Sequence, residues 1–206
     1  MRRGRGAQTR FTITPKGRQH CAMPDPYDRW WMGWDQQWRL ITFDVPEARR
    51  RDRVTLWREL RARRLGLLQR SVWIWPHSVE KILHDVIRAT GGPECFAGFE
   101  CSRVFLCTNT DLVRTAWDFD AIHRAHHGYL TQMNELLVGI RGATTLETLA
   151  RAVRRERLVY EGAMSRDPLL PNALWPKGYL GHKVWENHAR ARAGVKTRLV
   201  QLLRNG

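Results

Sequence analysis

Carboxylates are scarce in this chain. Only 20 Asp and Glu stand against 35 Lys and Arg in 206 residues, leaving a formal net charge of +15. A chain that cannot neutralise itself points to an anionic partner: nucleic acid, an acidic membrane surface or a phosphorylated ligand. Lysine is scarce too, so the cations are mostly arginine, whose planar fork suits phosphate. Cysteine is limited to Cys21, Cys95, Cys101 and Cys107, with no C-x-x-C pair. That spacing argues against a disulfide framework and leaves reduced thiols in a cytoplasmic protein. No apolar run approaches the length of a membrane span. The basic start, Met1 to Arg10, lacks the apolar segment of a secretory signal. Internal repeats are missing, as is any low-complexity tract beyond the arginine clusters.

What the chain does have is aromatic mass. Ten tryptophans offer large apolar faces for one sizeable core or two small ones. Residues 1–20 form a short basic piece in which Phe11 and Ile13 alternate with threonines, a strand pattern ended by Pro15, Lys16 and Gly17. Residues 21–37 carry prolines, a glycine and three tryptophans, and read as a linker packing its aromatics on the next domain.

From residue 38 the pattern is regular. Trp38 to Asp44 reads as a buried strand and Ala48 to Leu65 as a helix with Val54, Leu56, Trp57 and Leu60 on its apolar side, stopped by Gly66. "LLQRSVWIW" gives one long strand or two short ones. Ser78 is placed to cap a helix marked by Val79, Ile82, Leu83, Val86 and Ile87. "RVFLCT" (Arg103 to Thr108) reads as the last strand. With antiparallel pairing, strand, helix, strand pair, helix, strand makes an α+β, ferredoxin-like domain over 38–109: one sheet with two helices on one face. Residues 110–206 read as an all-helical domain with three tracts. The second opens with Thr144 and Glu147 in capping-box register.

Four motifs in order, "WRLITFDVPE", "LQRSVWIWP", "AWDFDAI" and "RDPLLP" followed by "LWP", resemble the phenylacetic-acid degradation repressor (PaaX) family of bacterial transcription regulators. The resemblance runs from about Trp34 to Trp185. It implies an N-terminal winged helix that binds operator DNA, a ferredoxin-like centre resembling the small CRISPR spacer-acquisition subunit, and a helical C-terminal domain that helps to form a homodimer. It also implies an aryl- or acyl-coenzyme A effector that releases the protein from DNA, with no resident cofactor and no enzymatic activity. Here only "TRFTITPKGR" is present of a winged helix, as its last wing strand. Either the start is placed late or this member has lost its reading head, and direct base readout by a recognition helix is in doubt.

The candidate sites follow. Arg2, Arg3, Arg5, Arg10, Lys16 and Arg18 on the wing piece are placed to meet DNA phosphates, contacts that position without specifying. Arg49, Arg50, Arg53 and Arg61 on the arginine-rich helix are candidates for phosphate or coenzyme A contacts, or are simply solvated. Gln69, Arg70, Trp73 and Trp75 suggest a dimer seam or pocket wall, with packing the plainer role for the tryptophans. Asp44 corresponds to an aspartate at the same strand end in the spacer-acquisition subunits, some of which are metal-dependent nucleases. A metal-ligand role stays open beside the plainer one, accepting turn or cap hydrogen bonds. His123, His126 and His127 follow Asp118 and Asp120 and suggest a metal site at first glance, but there is no H-E-x-x-H, His126 falls at helical spacing with Ile122, Tyr129, Met133 and Leu137, and Asp118 or Asp120 reads as a helix cap. An Arg166–Asp167 pair would brace the proline-rich corner.

Overall fold

The structure, a computed structural model, describes residues 26–204. Its first half is a four-stranded antiparallel sheet of β1 (Trp38–Phe43), β2 (Gly66–Gln69), β3 (Val72–Trp75) and β4 (Phe96–Cys101), in the order β2-β3-β1-β4. Helix α1 (Arg50–Ala62) joins β1 to β2, and α2 (Glu80–Thr90) joins β3 to β4. Among the described residues four helices follow: α3 (Asn109–Ala116), α4 (Phe119–Arg141), α5 (Leu146–Met164) and α6 (Gly181–Arg204).

The register explains the two-sided burial of the sheet. Ile41 pairs with Trp73 on one neighbour and Gly98 on the other, so the three share a face. Helix α1 sets Trp57 edge-on against Trp73 at 5.5 Å, and Leu83 of α2 lies over Gly98. The opposite face carries Leu40, Ile74 and Gly66. Here α3 presses in so closely that a Cβ on Gly66 would stand 2.7 Å from Ala116 Cβ and from the Trp117 ring. Gly66 is therefore fixed by close approach, and the helical half is docked on the sheet through it.

Several expectations change. β4 is "FAGFEC", not "RVFLCT": Phe105 and Leu106 are exposed, and Leu106 takes φ +69°. The intrinsic preference favoured the branched, aromatic segment, but six paired positions with β1, from Trp38↔Cys101 to Phe43↔Phe96, override it. Helix α1 ends at Ala62, and the left-handed residue that stops it is Arg64 rather than Gly66. Val79 occupies the N-cap of α2 without a side-chain bond, because the Ser78 hydroxyl turns to the Glu80 carboxylate. The capping box of α5 uses Thr145 and Thr148, one residue beyond the expected pair. The helical half has four tracts, since Thr108 and Asp111 form a capping box that starts the short α3.

The linker aromatics also divide. Trp34 packs on Trp38 at 5.5 Å, but Trp30 crosses to the far helical core, edge-on to Trp175 and Tyr179. The described residues thus form two cores, one between the sheet and α1–α3, the other among α4–α6, and Trp30 belongs to the second.

Candidate effector groove and basic surfaces

The junction of the two halves is built around Arg64. At the end of α1 the Leu65 N–H donates to Leu60 O and the Arg64 N–H to Arg61 O, the paired bonds of a Schellman turn. Arg64 holds the left-handed position, φ +71°, where glycine is usual, at a cost of about 1–2 kcal/mol. Two bonds hold it there. The Trp117 indole N–H donates to Arg64 O at 2.9 Å, and the Arg64 guanidinium donates to Asp167 O at 2.6 Å. A strained residue tied to both halves is a marker of a functional position.

Beside this clamp lies a groove of about 510 Å³. Arg61, Arg64 and Arg166 supply its cations, and Trp117, Leu65 and Leu67 its apolar wall. Among the described residues neither Arg64 nor Arg166 meets a carboxylate, and Arg61 lies over the Trp57 ring at 5.6 Å. The acid at the rim, Asp118, is engaged as N-cap of α4 by the Ala121 N–H at 2.9 Å. Behind the groove Arg29 stacks on Trp75 at 5.6 Å, and burial followed by the nearby Arg64 charge lowers its pKa. Among the described residues lining the groove, one acid, Asp118, stands against three arginines.

Sequence reasoning missed a set of buried polar groups in the helical half. Asp167 is fully buried and accepts from Tyr179 OH at 2.6 Å and from the Leu169 N–H at 2.7 Å. His126, also fully buried, brings Nε2 to 3.0 Å from Asp167 Oδ2, off the line of an aligned hydrogen bond, and among the described residues neither ring nitrogen has a hydrogen-bond partner. The expected Arg166–Asp167 brace is not formed: the Asp167 side chain turns inward to His126 and Tyr179, and Arg64 takes its carbonyl. A second buried acid, Glu156, accepts from Tyr129 OH at 2.6 Å and from His188 Nδ1 at 2.9 Å, and His188 stacks on Tyr160. Burial, then the neighbouring carboxylate, raises the pKa of Tyr129 and of Tyr179. The signal was present: Glu156 falls three residues after Val153 and four before Tyr160, on the apolar stripe of its helix.

The remaining candidates are placed as follows. Arg2, Arg3, Arg5, Arg10, Lys16 and Arg18 lie outside the described residues. Arg49 is drawn into contacts with Asp52 Oδ2 at 2.8 Å and Thr90 O at 2.7 Å, and Arg53 into an ion pair with Glu47 at 2.9 Å. Arg50 is exposed, 3.9 Å from Glu47. Gln69 and Arg70 are exposed at the β2–β3 turn, while Trp73 and Trp75 are buried in the sheet core. Asp44 is exposed in a concavity of about 520 Å³ with Glu47, Arg53, Arg70 and Ser71. Its backbone N–H donates to Cys95 O, extending the β1–β4 pairing, but its carboxylate takes no turn or cap bond, contrary to expectation. The reason is that the following helical turn opens at Pro46, whose missing N–H and fixed φ leave no donor for it. His123 and His127 are exposed, and Asp118 caps α4. Among the described residues no three His, Cys, Asp or Glu side chains gather at metal-binding distance, and no helix is long and apolar enough to cross a membrane.

Comparison with known proteins covers most of the chain. The PaaX protein central Cas2-like domain matches residues 32–113, and the PaaX-like protein C-terminal domain matches residues 117–202. Among solved structures, the uncharacterized protein Rv0674 from Mycobacterium tuberculosis is similar in fold, with 23% identity and a TM-score of 0.56 over 90% of this chain and 70% of that one. No curated protein matches the chain.

Proposed function

Because the chain belongs to the PaaX family of transcription regulators, we propose that it is a dimeric, DNA-binding repressor whose release from DNA is driven by an acyl- or aryl-coenzyme A. In this reading it is not an enzyme. The strand order β2-β3-β1-β4, antiparallel throughout with two crossover helices on one face, supports a ferredoxin-like centre. The basic segment around Arg2, Arg3, Arg5 and Arg10, with Lys16 and Arg18, is assigned to the DNA backbone, where contacts give affinity without sequence choice.

One observation carries the effector assignment: Arg61, Arg64 and Arg166 face a common groove beside Trp117, and among the described residues Arg64 and Arg166 lack a carboxylate partner. A polyphosphate with an apolar tail supplies what that groove lacks: anions for the guanidinium forks and an apolar surface for the indole wall. The groove lies at the junction of the two halves, so a ligand there shifts the equilibrium between their relative placements. If only one placement grips DNA, the thioester lowers operator affinity by its preference for the other.

The test is calorimetric titration of the protein, freed of nucleic acid, with phenylacetyl-coenzyme A. Binding weakened roughly tenfold in Arg166→Gln, matching loss of one charge-assisted contact, supports the assignment. Binding unchanged in Arg166→Gln and Arg61→Gln moves the effector elsewhere. A gel shift on the DNA upstream of the protein's own gene, with and without the thioester, tests the repressor reading separately.

A further inference from the structure

Helix α6 is poor in acid. It carries six cations, Lys183, Arg190, Arg192, Lys196, Arg198 and Arg204, against one carboxylate, Glu186. Among the described residues none of the six makes an ion pair, and Glu186, which is exposed, meets none of them. Helix α5 is also basic but behaves differently. Its Arg151, Arg155 and Arg157 each reach a carboxylate, at 3.2, 2.8 and 2.7 Å. The neighbouring α4 offers α6 no relief: Asp120 lies in its first turn, and Glu135 is the acid that Arg155 takes. Arg192 and Lys196 stand four apart, a spacing at which like charges oppose the helix.

Half of these cations are aligned. Lys183, Asn187, Arg190, Thr197, Gln201 and Arg204, with Gly194 between them, advance in steps of three and four and so share one side of the helix. The row runs beside the seam that α6 packs inward at Val184, Ala191 and Val195. Its three cations are exposed. Gln201 turns its side-chain oxygen to Arg198 Nη1 at 2.9 Å, which leaves its amide N–H groups to donate elsewhere. Neither an acid nor an apolar side chain interrupts the row. From Lys183 to Arg204 it spans about 32 Å at the ordinary helical rise, close to one turn of duplex DNA at roughly 34 Å.

We infer that this row is a second contact surface for duplex DNA, a reading that rests on the DNA-binding proposal above for the identity of the polyanion. Lys183, Arg190 and Arg204 meet backbone phosphates, and the Gln201 amide adds a neutral donor. A small anion such as phosphate neutralises one of these cations, whereas a duplex, with one charge about every 1.7 Å of its axis, meets all three. A second copy of the chain seated here would set like charges against each other. A membrane surface is a poor match, because the row has no apolar side chain to bury among acyl chains. Phosphate contacts position without reading bases, so α6 steadies a duplex and does not choose its sequence.

The test is fluorescence anisotropy of the full chain with a labelled duplex of about two turns and arbitrary sequence, over salt from about 50 to 200 mM. Lys183→Gln/Arg190→Gln/Arg204→Gln is expected to make the log–log salt slope shallower by about 2.7, and Arg204→Gln alone, at the helix end, by about 0.9. Arg154→Gln/Arg192→Gln/Lys196→Gln removes the same charge away from the row and is expected to change the slope by less than about 1. All these positions are exposed, so the circular dichroism spectrum should not change. Equal effects of the two triple variants, or none from the first, overturn the inference. Binding that is lost in Arg2→Gln/Arg3→Gln/Arg5→Gln/Arg10→Gln and indifferent to the row overturns it alone and leaves the repressor reading standing. A parent that binds no duplex at low salt overturns both. Poly-glutamate that displaces the duplex at equal charge moves the row to an acidic protein and overturns the assignment to DNA.

Discussion

Arg64 and Asp167, 103 positions apart, meet in a single hydrogen bond from guanidinium to backbone carbonyl, and that bond ties the sheet half to the helical half. It holds the arginine at a backbone conformation that favours glycine. Arg64→Gly should relieve that strain while losing the bond, so stability is expected to stay within about 1 kcal/mol of the parent. Thioester binding should nevertheless fall. Chemical denaturation and calorimetry on the same sample distinguish these two effects.

Asp167→Asn removes the charge that His126 faces and replaces an acceptor-only group with an amide. The Tyr179 hydroxyl, the Leu169 N–H and His126 Nε2 all lie within 3.0 Å of this carboxylate. A loss of about 1–3 kcal/mol is expected in urea unfolding, the cost of leaving buried hydrogen-bonding groups imperfectly paired.

Gly66→Ala places a methyl group against Ala116 and the Trp117 ring, at 2.7 Å from both. Backbone and indole cannot both give way, so the variant should lose about 1–3 kcal/mol and loosen the junction of the halves. Reduced protection of the Trp117 indole N–H from hydrogen exchange would report the second effect.

Acid should weaken the fold through His77. Burial first, then the Arg29 and Arg39 charges, hold its pKa down at about 4 against an ordinary 6.5, with Asp35 opposing. Between those values the unfolded chain binds the proton and the folded one does not, so stability present above pH 6.5 drains away as the pH falls toward 4. The ring is only partly buried, and solvent screening limits the loss to about 1–2 kcal/mol. His77→Leu should flatten this limb in urea midpoints measured at neutral and mildly acidic pH.

Asp44→Asn should be silent in stability, within about 0.5 kcal/mol, because the exposed carboxylate makes no hydrogen bond or ion pair among the described residues. The neighbouring acid, Glu47, is engaged by Arg53 at 2.9 Å. Magnesium- or manganese-dependent cleavage of DNA by the parent, lost in Asp44→Asn, would instead establish the nuclease alternative.

The sheet half was legible where one periodicity dominated. β1 and the "VWIW" strand stood out because branched and aromatic residues fill every position but Arg39 in strands packed on both faces. β4 was hidden: "FAGFEC" carries an alanine, a glycine and an acid, and is a strand only because β1 offers it an edge. The clamp was less legible still. Nothing local marks Arg64 among its arginine neighbours, and its partners Trp117 and Asp167 are distant in sequence. Asp167 looked like a turn residue beside Arg166, since a dipeptide cannot show that one side chain faces inward and the other outward. Glu156 and His126 were visible as polar residues on apolar stripes, but their pairing requires knowing how α4, α5 and α6 meet.

Trp30 has a consequence for synthesis on the ribosome. Its resting place is made by Trp175 and Tyr179, which follow about 150 residues later in the chain. At ordinary elongation rates of about 5–20 residues per second, the indole waits roughly 7–30 s for its socket. Through that interval a large apolar ring stays available to chaperones.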